Sequence, residues 1–161
     1  METLRIEIAH EWRTVESAPG KIYRYPEEVT DAMRRALTGP AIYRWNIYES
    51  APGDLQTVWV GETDNLPNRI YLYRNPKPGQ EPYARTKVRL VDAMTSGRRV
   101  TLETLYFEHW SIGNATITRS DLSEQAVRKF LADTLMFALA RSGYTVWNLQ
   151  AAPSARDLLR F

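Results

Sequence analysis

A single α+β domain (α/β in the broad sense) is what this sequence predicts: a small, mostly antiparallel three-stranded central sheet flanked by helices, with an amino-terminal strand/helix extension. Three observations predict it. Two β-rich runs, AIYRWNIYES and LQTVWVGE, flank APGD, and a Pro-Gly turn between such runs is a hairpin signal. A third strand-like run, RVTLETLYFEHW, stands well downstream, and the stretches on either side of it carry apolar residues at helical spacing. The length of 161 residues suits one domain, which typically holds about 100 to 200.

Taken in order, LRIEIAHEWRTVE alternates enough for a strand, and SAPGKIYRY reads as a turn and a short extended piece. Pro26, Glu27 and Glu28 are first-turn residues, and Thr38, Gly39 and Pro40 are stop signals, so a helix is expected over about 27–38. Residues 1–39 thus form an extension packed on a core of residues 40–161. In the hairpin, a turn centred near 51 or 52 sets Tyr43 opposite Trp59 or Val60. Asp64 or Asn65 caps a short helix whose Leu66, Ile70 and Tyr73 share a face, with Arg69 beside it. After NPKPGQE a second helix covers Pro82 to Thr95, carrying Arg85 and Arg89 four apart. Ser120 or Asp121 caps a long helix to about Arg141, with Val127, Phe130, Leu131, Leu135, Ala138 and Leu139 as its buried stripe. Gly143 ends it, and YTVWNLQ follows as a short strand or extended edge.

Composition removes whole classes of chemistry. No cysteine is present, so disulfide scaffolds, thiolate nucleophiles and cysteine-bearing metal sites are excluded. His10 and His109 are too few for an all-histidine zinc centre, which leaves hard cations on oxygen ligands. The start, METLRIEIAHEW, is acidic and mixed rather than basic and then apolar, and the longest apolar stretch is far below the roughly 20 residues of a membrane span. A cytoplasmic protein with no membrane partner is the expectation. Net charge is +2, unevenly distributed. Residues 67–100 hold eight bases against two acids, and that local excess suits a polyanion.

The motifs point further. Ala41-Ile42-Tyr43 on the first hairpin strand, Trp59-Val60-Gly61 on the second, and Asn65, Leu66 and Arg69 opening the next helix stand in the order and spacing of one known pattern. In that pattern the chain resembles the GIY-YIG nuclease superfamily, over most of residues 40–150. The resemblance implies a GIY-YIG-like domain at 40–161 that hydrolyses phosphodiester bonds in nucleic acid, DNA sooner than RNA, with magnesium or manganese. It implies that Tyr43 helps position or activate water, that Arg69 clamps the scissile phosphate, and that Trp59, Gly61 and Asn148 shape the site. Trp59 keeps the aromatic wall and one donor of the usual tyrosine but has no hydroxyl. Arg69 suits its role, because a planar guanidinium grips two phosphate oxygens at once. Arg74, Lys77, Arg85 and Arg89 extend the expected phosphate contacts. Cutting both strands would require a domain of this size to act twice or as a homodimer.

The family's metal-binding glutamate falls on Ala132, within FLADTLMF. Asp133 points about 100° away around the helix, and Glu124 lies about 12 Å back along the axis, so neither replaces it. Two explanations compete: a natural loss of activity, or a deliberate Glu-to-Ala change, which the otherwise intact site favours. The expected function is therefore a metal-dependent endonuclease whose glutamate-bearing parent cuts and whose present Glu-to-Ala form does not; the alternative is a non-catalytic nucleic-acid-binding domain that retains the nuclease fold.

Overall fold

The structure, a computed structural model, describes residues 3–49 and 55–150, with their side chains except those of 55 and 56. Among these residues a mostly antiparallel sheet of six strands carries four α-helices, twice the strand number expected from sequence. In chain order the strands are β1 (Ile6–Thr14), β2 (Glu16–Ala18), β3 (Lys21–Ile22), β4 (Ala41–Tyr48), β5 (Leu55–Thr63), β6 (Arg99–Ile112), β7 (Ala115–Thr118) and β8 (Thr145–Val146). The helices are α1 (Asp31–Ala36), α2 (Leu66–Arg74), α3 (Glu81–Thr95) and α4 (Gln125–Arg141). The main sheet runs β1-β6-β4-β5-β8 with β7 also on β6, while β2 and β3 form a separate ribbon. Among the described residues only the β5–β8 pairing is parallel.

Three strands beyond the expected set explain the difference. Strand β1 lies along β6 on the side away from β4, β7 folds back on the far end of β6, and β8 adds to the outer edge of β5. Their partners lie far off in sequence or depend on where a neighbour ends, and local alternation carries no information on either. No helix among the described residues is long and apolar enough to cross a membrane.

Strand β4 is buried from Ile42 to Ile47, the pattern of a strand covered on both faces. Tyr43, Trp45 and Ile47 join Leu66, Ile70, Tyr73, Leu90, Val100 and Leu102 in one core, under α2 and α3. Ile42 and Val60 join Leu105, Phe107, Trp110, Leu131, Ala132 and Leu135 in a second core, under α4. Successive strand residues face opposite sides, so the sheet separates the two. Tyr23, Tyr25 and Met33 from the amino-terminal segment belong to the first.

Several local expectations change. Tyr43 pairs with Gly61, not Trp59 or Val60, because a register shift between Ile47 and Tyr48 adds a residue on the β5 side. The Pro-Gly turn itself lies outside the described residues. Helix α1 starts at Asp31, since Thr30 caps it by accepting from the Met33 amide at 3.2 Å while its hydroxyl donates to the Ser17 carbonyl at 2.6 Å. Thr118, not Ser120 or Asp121, is the cap residue, and it opens a 3₁₀ turn, Arg119–Ser123, in which Asp121 accepts from the Thr118 amide at 2.7 Å; α4 begins only afterwards. The buried face of α4 is Arg128, Leu131, Ala132 and Leu135, which leaves Phe130, 41% exposed, and Ala138 outside the expected stripe.

Candidate nucleic-acid interface

The missing side chain of Gly61 organises the centre of the site. A Cβ there would fall within the Tyr43 phenol and 2.6 Å from Cζ3 of Trp59, so only glycine lets the two rings close over the strand. The Tyr43 and Trp59 ring centroids are 6.1 Å apart, and Tyr73 meets Trp59 edge-on at 5.5 Å. Tyr43 and Tyr73 share a hydrogen bond between their hydroxyls at 2.8 Å, both buried. Tyr25 donates to the Tyr73 carbonyl at 3.2 Å, and Tyr83 stacks edge-on to Tyr73 at 5.4 Å.

Helix α2 delivers Arg69 to this cluster. Asn65 fixes its start, accepting from the Asn68 amide at 3.0 Å, while Thr63 accepts from the Asn65 amide at 3.1 Å. Arg69 then sits one turn before Tyr73, half-buried, with its guanidinium carbon 5.2 Å from the Tyr83 ring centre. Burial pushes the Tyr43 phenol far above its ordinary range, against smaller downward pulls from the Tyr73 hydrogen bond and the Arg69 charge. At neutral pH Tyr43 is therefore a neutral, hydrogen-bonded phenol and not a base.

Beside the cluster, Trp59, Pro82, Arg85, Thr86, Arg89, Trp147 and Asn148 border a hollow of about 260 Å³. Four of these, Trp59, Arg85, Arg89 and Asn148, are residues the sequence singles out. Arg89 donates to the Trp147 carbonyl at 3.1 Å and lies 5.6 Å from that ring. Arg85 is exposed, and among the described residues no carboxylate pairs with it. Both ends of the Asn148 amide are engaged: its oxygen accepts from the Val60 amide at 2.8 Å and its nitrogen donates to the Val60 carbonyl at 2.8 Å. Strand β8 pairs with β5 only at residues 57 and 58, and Asn148 continues that edge with a side chain.

Arg74 and Lys77 are placed elsewhere. Arg74 donates to the Pro26 carbonyl at 2.8 Å and lies 3.7 Å from Glu28, tying α2 to the amino-terminal segment. Lys77 is exposed on the loop before α3. Ala132 is 4% exposed in the core under α4, on the opposite sheet face from the Tyr43 ring. One turn earlier on α4, Arg128 donates to Glu62 at 2.7 Å and to the carbonyls of Leu122 at 2.8 Å and Ser123 at 3.0 Å. Among the described residues no three of His, Asp and Glu converge as a metal group requires. The residues present, with alanine at 132 and Glu62 held by Arg128, do not fit a magnesium or manganese ion.

Glu62, Tyr73, Tyr83 and Trp147 complete the neighbourhood without having stood out in the sequence. Glu62 follows Gly61 on β5 and turns its side chain to the α4 face, where Arg128 holds it at 2.7 Å. The available signal was its position directly after Gly61. Tyr73 showed only as a helix-face residue, and for Tyr83 and Trp147 no signal existed, because core rings and site rings are spelled alike. No protein-family model matches the chain, and neither a curated protein nor a solved structure matches it.

Proposed function

We propose that this protein is a nucleic-acid-binding domain of GIY-YIG nuclease type, acting on DNA ahead of RNA, and that with alanine at 132 it holds its substrate without cutting it. The observation that supports this most is the packing of Tyr43 and Trp59 over Gly61, with Arg69 held on the Tyr83 ring of the same aromatic cluster, next to a hollow rimmed by Arg85 and Arg89. Arg69 and Arg85 neutralise phosphate oxygens, Trp59 supplies a fixed aromatic wall, and the Tyr43–Tyr73 pair holds that wall in place. Binding should weaken steeply with salt as phosphate counterions are released. Titration of a labelled oligonucleotide at 50 and 200 mM salt tests this, with Arg69→Gln and Arg85→Gln each weakening the low-salt complex. Affinity indifferent to salt and to both substitutions would defeat the proposal.

A second reading, the metal-dependent endonuclease with glutamate at 132, is supported by the order of Tyr43, Gly61 and Arg69 along the hairpin and α2. Position 132 lies one turn along α4 from Arg128, which holds Glu62. Ala132→Glu, assayed with magnesium or manganese on single-stranded DNA, duplex DNA and RNA, is expected to gain cleavage under this reading. Absence of cleavage on all three leaves the non-catalytic reading alone.

A further inference from the structure

The hollow between α3 and the chain following β8 has the chemistry of a seat for an unpaired base. Two indoles, Trp59 and Trp147, line it, both part-exposed, and two arginines from successive turns of α3 stand at its rim. Trp59 is held edge-on by Tyr73; the Trp147 ring lies 5.6 Å from the Arg89 guanidinium, and its backbone is anchored by Arg89 on its carbonyl and by the neighbouring Asn148 on Val60. Rings fixed in advance lose little freedom when a ligand stacks on them.

A duplex offers such a hollow nothing to stack on. In paired nucleic acid the base faces cover one another, leaving only edges in the grooves and phosphates outside. An aromatic wall beside guanidinium groups suits a strand whose bases are already exposed: each base has a π-face for an indole, and the neighbouring phosphate has a cation. The concave volume of about 260 Å³ is on the scale of one nucleotide, not of a helix. We infer that this hollow takes an unpaired nucleotide, so that the substrate class of the site is single-stranded nucleic acid or an unpaired segment within a duplex. The inference rests on the nucleic-acid reading above and narrows it.

The test uses the full chain and fluorescence anisotropy on a labelled 20-nucleotide DNA strand, on the same sequence as a blunt duplex, and on that duplex with an unpaired internal segment. The single strand and the interrupted duplex should bind at least about tenfold more tightly than the blunt duplex. Trp147→Ala and the exposed Arg85→Gln should each weaken the single-strand complex about five-fold or more, with thermal unfolding monitored to separate lost binding from lost fold. Stacking should also quench the tryptophan emission of the wild-type chain with the single strand. A blunt duplex bound as tightly as the single strand, or folded variants that bind the strand normally, overturns the inference while the broader proposal stands. If no nucleic acid binds, both fall.

Discussion

At the scale of single residues, Gly61 does more than end a motif. Any side chain there runs into the buried Tyr43 ring and the part-exposed Trp59 ring. Overpacking of this kind costs about 1–3 kcal/mol, so Gly61→Ala should lower the midpoint of thermal unfolding markedly. The loss should be partly relieved when Tyr43→Leu is made in the same chain, and a single variant as stable as the wild type would contradict this account. Tyr43, Trp59 and Arg69 were legible because short motif spacings survive without knowledge of the tertiary fold. Tyr73 was legible only as a helix-face residue. Its hydroxyl contact with Tyr43 joins residues 30 positions apart, and periodicity says nothing about which buried ring carries a bonded hydroxyl.

Among the elements, α4 departs most from its pattern. Its apolar spacing put Phe130 inside, yet the helix turns Arg128 and Ala132 inward instead, because the Arg128 guanidinium closes on Glu62 and on two carbonyls of the preceding 3₁₀ turn. A run of apolar residues wide enough to wrap the helix leaves its rotation undetermined, and a buried ion pair then decides it. Removing one partner leaves the other charged and buried. Arg128→Ala should therefore cost about 3–5 kcal/mol, whereas Arg128→Met with Glu62→Met should cost much less, as urea unfolding of the three chains would reveal. Equal losses in the single and double variants would mean that packing, not charge, holds α4. Strand β4 was more legible, since IYRWNI reads as a continuously buried run once both faces are known to be covered.

Over the whole molecule, an antiparallel sheet between helices was readable and its extent was not. The hairpin announces itself locally, but the joining of β1 to β6 spans most of the chain and leaves no local trace. The covered sheet gives the protein a population of buried phenols. Burial raises Tyr23, Tyr43 and Tyr73 well above the ordinary tyrosine range and carries Tyr25 up to about 12. A raised acid holds its proton longer in the folded chain than in the unfolded one, so this stability is complete below about pH 10 and is lost as pH climbs through the folded values. Absorbance titration at the phenolate band should show Tyr23, Tyr25, Tyr43 and Tyr73 ionising only well above pH 10 or together with unfolding. Smooth ionisation of all of them near pH 10 in a folded chain would refute the burial.

Asn148 spends both halves of one amide on Val60, and the next residue back is the indole that walls the hollow. That wall is thus moored twice, to the sheet margin by the Asn148 amide and to α3 by Arg89 on the Trp147 carbonyl. Under the unpaired-nucleotide reading, widening the gap would strip Val60 of two bonds at once, so bulk sets the upper limit on the guest.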